Sequence, residues 1–292
     1  MTTQNTVHQP YKGASAQDIQ FHYDLSNDFY ALWLDADLTY SCALWAEGDT
    51  LETAQHRKLD YHIEQAKAVG AERVLDIGCG WGSMLRRLTQ VHGVGEAVGL
   101  TLSAEQVRWI EDLALPGCQV RLESWLDHPV DERYDAITSI GALEHFARPG
   151  LSRTERVTQY RLFFERCRSW LPTGGRLALQ TIIRGRELIH DRKLLRDLFF
   201  SEMIFPESEV PWSSEVMEAS EGLFVPIALR NDPDDYARTT QEWLDRLTAH
   251  RRQAIALVGE EKAAVYDRYL VLASELFRKR FTCLLRVSFQ AV

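Results

Sequence analysis

Between residues 73 and 182 the chain alternates short apolar runs with segments of helical periodicity. The runs lie near residues 74–77, 97–100, 120–122, 134–140 and 176–182. Unbroken apolar stretches of this length suit strands covered on both faces. Strands separated by helices predict an α/β fold with a doubly wound, mostly parallel sheet. Residues 17–70 read as a mostly helical cap and residues 1–16 as a flexible arm. Beyond the fifth run, residues 183–222 read as a helical, aromatic-rich insert. Sheet-like runs return at 223–229 and 283–289, with a long helical stretch between them at 234–280. The cap and the insert are expected to cover the carboxyl ends of the strands, where open α/β sheets bind ligands.

The first run leads into Asp76-Ile77-Gly78-Cys79-Gly80-Trp81-Gly82, glycines spaced G-x-G-x-G before a helical segment. Such a turn lets backbone approach a ligand closely and sets it near the positive end of a helix. A dinucleotide site would read G-x-G-x-x-G, with an acid at the tip of the second strand. Here that tip reads Thr101-Leu102-Ser103, and the acid precedes the glycines as Asp76. The third tip reads Glu123-Ser124-Trp125, which could flank a flat ring, and the fourth leads to Gly141-Ala142-Leu143-Glu144-His145-Phe146. This order of tips resembles an S-adenosylmethionine (SAM) methyltransferase more than a dehydrogenase.

A net charge of -9 argues against broad nucleic-acid binding and against electrostatic docking on anionic membrane. Arg184, Arg186, Arg192, Lys193 and Arg196 form a local basic group, either a solvated helix face or a landing site for an acidic carrier or anionic substrate. The five cysteines are scattered without metal-ligand spacing, so no metal is expected and a reduced, cytoplasmic setting fits. The polar N-terminus reads as no secretory signal, and no apolar run is long enough to span a membrane.

Phe21-His22-Tyr23-Asp24-Leu25-Ser26, Leu38-Thr39-Tyr40-Ser41-Cys42-Ala43 and Gly141-Ala142-Leu143-Glu144-His145-Phe146 resemble the cyclopropane-fatty-acid and mycolic-acid cyclopropane synthases. So do the glycine turn, Val98-Gly99-Leu100-Thr101-Leu102-Ser103, Ile204-Phe205-Pro206, Asp235-Tyr236-Ala237-Arg238-Thr239 and Glu275-Leu276-Phe277-Arg278. The likeness runs from about residue 20 onward. It implies a Rossmann-like class I methyltransferase fold with SAM as cofactor. It also implies a reaction in which an alkene takes the methyl group and the resulting carbocation loses a proton to bound bicarbonate as the ring closes. Carried over by match, Tyr40, Ser41, Asp76, Gly78, Gly80, Gly82, Thr101, Leu102, Gln106, Ser124, Trp125 and Ile140 would hold SAM. Cys42 and Ile140 through backbone, with Glu144 and Tyr236 through side chains, would hold bicarbonate, and His145 would neighbour them. Tyr23, Tyr40, Phe146, Phe199, Phe200, Phe205 and Tyr236 would wall the cation from water, or serve only as core.

One position departs from the family. Its fifth-strand histidine, in an H-T-I triplet, is Gln180 in Gln180-Thr181-Ile182. Glutamine can hydrogen-bond an anion but cannot shuttle a proton at neutral pH. The expectation is therefore a C-methyltransferase acting on an apolar alkene or electron-rich substrate. That substrate would be a secondary metabolite or an acyl chain, with an acyl carrier protein as a partner. Cyclopropane synthesis is the close second. An N- or O-methyltransferase, or a non-methylating cyclase on the same scaffold, stands behind it. The extra domain that precedes the catalytic part in the phospholipid-acting branch has no counterpart here, which points away from membrane lipid.

Overall fold

The computed structural model describes residues 13–15, 26–186 and 207–292. Within them a seven-stranded sheet runs in the order β3-β2-β1-β4-β5-β7-β6. The strands are β1 (Arg73–Ile77), β2 (Glu96–Thr101), β3 (Cys118–Leu122), β4 (Ala136–Ile140), β5 (Arg176–Arg184), β6 (Phe224–Asn231) and β7 (Thr282–Ala291). The first five pair in parallel, and β7 joins antiparallel between β5 and β6. This is the expected Rossmann-like α/β sheet, mostly parallel, closed on one side by two antiparallel strands. Strand order reverses between β1 and β4, and the carboxyl ends of strands open a crevice at such a point.

The helices are α1 (Asn27–Ala31), α2 (Leu51–Gln65), α3 (Ser83–Gln90), α4 (Ala104–Asp112), α5 (Arg153–Trp170), α6 (Ser213–Ser220), α7 (Pro233–Ala249), α8 (Arg251–Val258) and α9 (Glu260–Arg278). Reciprocal capping starts α2 at Thr50/Thr53 and α5 at Ser152/Glu155, satisfying backbone N–H groups that the first turn leaves unpaired. The 17–70 cap is less helical than its pattern predicts: residues 32–50 run through turns and extended chain. They are held instead by side chains, with Asp35 accepting from Thr39 N at 2.7 Å and Gln55 donating to Ser41 O at 2.8 Å. Of the 183–222 insert, α6 packs on α5, with Val216 and Ala219 joining the core around Phe163 and Phe164. Residues 13–15, assigned to the flexible arm, are pinned instead. Ala14 N donates to His145 O at 2.7 Å and Arg148 Nε to Gly13 O at 2.6 Å.

Two large apolar clusters flank the crevice. One packs α5 and α6 on the sheet, and the other packs α1, α7, α8 and α9 around Trp33, Trp243 and Tyr266. No described helix is long and apolar enough to cross a membrane.

Candidate active site

The crevice over the ends of β1, β2, β3 and β4 is lined by Tyr40, Ser41, Asp76, Gly78, Gly80, Thr101, Leu102, Gln106, Ser124, Trp125 and Ile140. These come from segments scattered over a hundred residues, and the parallel sheet gathers their ends. Gly78 and Gly80 both have positive φ, +81° and +55°. A Cβ on Gly78 would lie 2.7 Å from Ala142 Cβ, whereas one on Gly80 would meet no atom within 4 Å. Gly80 thus faces open space, and any side chain there would project into the crevice from a strained backbone. Gly82 stands apart from the crevice. It caps α3, and a Cβ there would come within 2.9 Å of Ile110, so its role is helix packing rather than ligand contact.

At the β2 tip, Thr101 Oγ1 donates to Gln106 Oε1 at 2.6 Å, which fixes the amide facing the crevice. Trp125 packs on Phe146 and Phe163 with centroids 5.0 and 5.7 Å away, leaving it rigid beside the pocket. Asp76 is buried and accepts from Thr138 Oγ1 at 2.7 Å, and burial raises its carboxyl to about 6. Tyr40 is held above the usual phenol range, first by burial and then by Tyr269, Tyr266 and Tyr30 around it.

Of the expected anion-site residues, Ile140 lines the crevice and the others lie behind its wall. Cys42 and Gln180 do not line the crevice but meet at a buried junction under α2. Gln180 Oε1 accepts from Arg286 Nε at 2.8 Å and faces His62 Nε2 at 3.2 Å, while Gln180 Nε2 lies 3.5 Å from Cys42 O. Gly141 N donates to Gln180 O at 2.9 Å, which ties Gln180 to the chain just after Ile140. Arg286 is wholly buried, paired with Asp232, and donates to Ala43 O at 2.8 Å. Burial, Arg286 and Lys58 together push the His62 imidazole well below its ordinary pKa, so it is neutral. With Nε2 donating to Gln180, Nδ1 is left a buried acceptor without a hydrogen-bond partner among the described residues. Burial also drives the Cys42 thiol up to about 12, so it is no nucleophile at neutral pH.

Glu144 sits in a one-turn 3-10 helix, Leu143–His145, past β4. Its Oε1 accepts from Ile182 N at 2.6 Å, and its buried Oε2 has no hydrogen-bond partner among the described residues. Burial lifts this carboxyl to about 7 despite the Ile182 amide, poising it between acid and base. His145 reaches the crevice and faces Ser208 Oγ at 2.8 Å through Nδ1, and burial lowers it to about 4. Tyr236, on α7, stacks on Phe277 at 4.2 Å and meets Trp243 edge-on, away from the crevice wall. Tyr23, Phe199, Phe200, Phe205, Arg192, Lys193 and Arg196 lie outside the described residues. Of the described basic group, Arg184 pairs with Glu209 and Arg186 lies over the Phe281 ring.

Three buried polar side chains at or beside the crevice escape the motif reading: Lys58, His62 and Arg286. The signal was present. Leu51, Ala54, Leu59 and Ile63 form the buried stripe of α2, and Gln55, Lys58 and His62 share that stripe. Arg286 interrupts the run Cys283-Leu284-Leu285-Arg286-Val287. Polar groups at core positions are rare unless partnered or functional.

A family model described as mycolic acid cyclopropane synthetase matches residues 11–287. The chain belongs to this family. Cyclopropane mycolic acid synthase 2 of Mycobacterium leprae (strain TN) is 37% identical over 283 residues, covering 90% of each chain. Cyclopropane mycolic acid synthase 3 of Mycobacterium tuberculosis (strain ATCC 25618 / H37Rv) is 36% identical over 281 residues, 91% of this chain and 93% of that one. Among solved structures, mycolic acid cyclopropane synthase CmaA1 complexed with S-adenosylhomocysteine (SAH) and CTAB superposes with a TM-score of 0.86 at 33% identity. It covers 95% of this chain and 99% of that one. The chain is thus an enzyme of the SAM-dependent methyltransferase class, with SAM as its cofactor. Coclaurine N-methyltransferase and the [4+2]-cyclase SpnF, at 22% and 18% identity, share the fold alone.

Proposed function

We propose that this enzyme transfers the SAM methyl group to an alkene carbon of an apolar, lipid-like chain and releases a methylated, uncyclised product. The mycolic acid relatives support a lipid-like substrate. We propose delivery as a carrier-bound acyl chain, with an acyl carrier protein as partner, or as a free metabolite. When bound, SAM supplies an electrophilic methyl on a sulfonium. The open face at Gly80 and the fixed Gln106 amide suit such a ligand, with Trp125 proposed at its adenine. Packed aromatics around the crevice would exclude water from a carbocation on the substrate.

The observation that carries the uncyclised product is the orientation of Gln180. Both acceptor sites of its Oε1 are taken, by Arg286 and by His62, so the amide offers only N–H toward Cys42. It can orient an anion but cannot receive a proton. We assign proton removal to Glu144, which sits behind the crevice residues Ala142 and His145, with Oε2 lacking a hydrogen-bond partner among the described residues and a carboxyl raised by burial to about 7. The cation would lose a neighbouring proton and leave a methyl-branched alkene, or a 1,2-hydride shift followed by proton loss from the new methyl would leave an exomethylene group. Cyclopropanation is the second reading. The buried Arg286 cation beside Cys42 favours an anion there, as a bicarbonate base would require. Proton NMR of the product decides: olefinic or branched-methyl signals are expected, and high-field cyclopropane resonances as the main product would reverse the order of the two readings. Gln180→His should shift the mixture toward cyclopropane.

A further inference from the structure

Lys58 lies in the middle of α2, 1% exposed, and lines the crevice. Its Nζ donates to Ser41 Oγ at 2.9 Å, its one hydrogen bond among the described residues. An ammonium carries three N–H donors, so two are left without a partner among the described residues, and a buried cation left so under-bonded is costly. Its surroundings are polarised. Asp76, on β1, and Asp35, in the 32–50 segment, favour its charge, whereas Arg286 on β7 opposes it. Cys42 is the other titratable group that acts on it, and His62, one turn further along α2, is neutral.

The crevice therefore has two unlike ends. Trp125 and Glu123 stand past β3, and Asp76 ends β1 two strands away, about 10 Å at the usual strand spacing. At the β1 end a buried cation and a buried carboxyl sit together with the Ser41 hydroxyl. SAM and SAH have a flat base at one end and an α-amino acid, a carboxylate beside an ammonium, at the other. We infer that Lys58 binds the cofactor's α-carboxylate, which supplies the missing partner for its ammonium, while Ser41 holds Nζ in place.

This assignment rests on the crevice being the SAM site and is independent of which product forms. It carries a pH signature. Burial draws Lys58 down to about 8 in the empty protein, so its charge is progressively lost as pH rises past that value. A carboxylate ligand favours the charged form, so its affinity should fall over the same range.

The test compares binding of SAH with S-adenosyl-3-thiopropylamine, which keeps the adenosine and the amine and lacks only the carboxylate. By calorimetry at pH 7 the parent should prefer SAH by 10- to 100-fold, the size expected of one charge-assisted hydrogen bond. In Lys58→Met the preference should shrink below threefold, with affinity for the amine little changed. In the parent alone the preference should narrow between pH 7 and 9.5, which keeps the inference testable if the variant does not fold. An undiminished preference in Lys58→Met, equal losses for both ligands, or a preference constant with pH would overturn it. A parent that binds neither ligand would overturn the SAM assignment along with it.

Discussion

The two halves of the site are built in opposite ways. On the β1–β2–β3 side, the ligand wall is made of local motifs: a glycine turn, a strand tip, a helix start. Thr101 and Gln106 bond across 5 positions of chain. On the β4–β5–β7 side, the polar junction joins groups far apart in sequence. Gln180 meets Arg286 across 106 positions, His62 across 118 and Cys42 across 138. A local motif places atoms through backbone geometry and tolerates change elsewhere. A junction of distant side chains exists only in the folded state, and each member restricts the others. The first half resembles what any SAM enzyme of this fold needs. The second half holds Gln180, on which the proposed product turns.

Four variants probe that difference, from the largest effect to the smallest. Gly80→Val should abolish SAH binding, by at least ~10²-fold. A branched side chain would enter the crevice at a positive φ. Circular dichroism should show the fold kept, and parent-like SAH affinity by calorimetry would show that the crevice is assigned wrongly.

Arg286→Met strikes the other half. It leaves Asp232 with Arg230 alone and removes donors from Gln180 Oε1 and Ala43 O. Urea denaturation should show a loss of about 2 kcal/mol, the scale for leaving buried acceptors without their donor. SAH affinity should change far less. A loss under ~1 kcal/mol would mean that the junction is looser than its geometry implies.

Glu144→Gln should cut turnover by at least ~10²-fold while SAH affinity stays within a few-fold, the effect of a lost acid–base group. In the parent, turnover should rise with pH through about 7. The reason is that a carboxyl raised by burial becomes a base only as it ionises. An acid limb of the rate profile near 4 instead would place the base elsewhere.

Thr101→Ala should be the mildest. It frees the Gln106 amide by removing one hydrogen bond, worth about 1 kcal/mol, so SAH affinity should fall about fivefold. Calorimetry at one pH suffices, and a fall beyond ~50-fold would mean that Thr101 itself carries more of the ligand than its neighbour does.

Some of this protein could be read before any fold was known. Apolar runs at 74–77, 97–100 and 134–140, each ending in a glycine or hydroxyl-bearing turn, specify parallel strands and the edge at which open α/β sheets bind ligands, because strand burial and turn geometry are short-range properties. The residues expected to hold SAM line one crevice, Gly82 excepted, since nothing local separates a glycine that faces open space from one that faces Ile110. The substitution at Gln180 was legible too, but its meaning was not. Whether that amide accepts or donates depends on Arg286 and His62, which reach it only when β7 pairs antiparallel with β5 and α2 crosses their ends. The same crossing turns Lys58 from an ordinary helix lysine into a buried cation beside Asp76. Periodicity tells which face of a helix is inward. Only the tertiary structure decides what waits there, because desolvation and charge pairing act between neighbours in space.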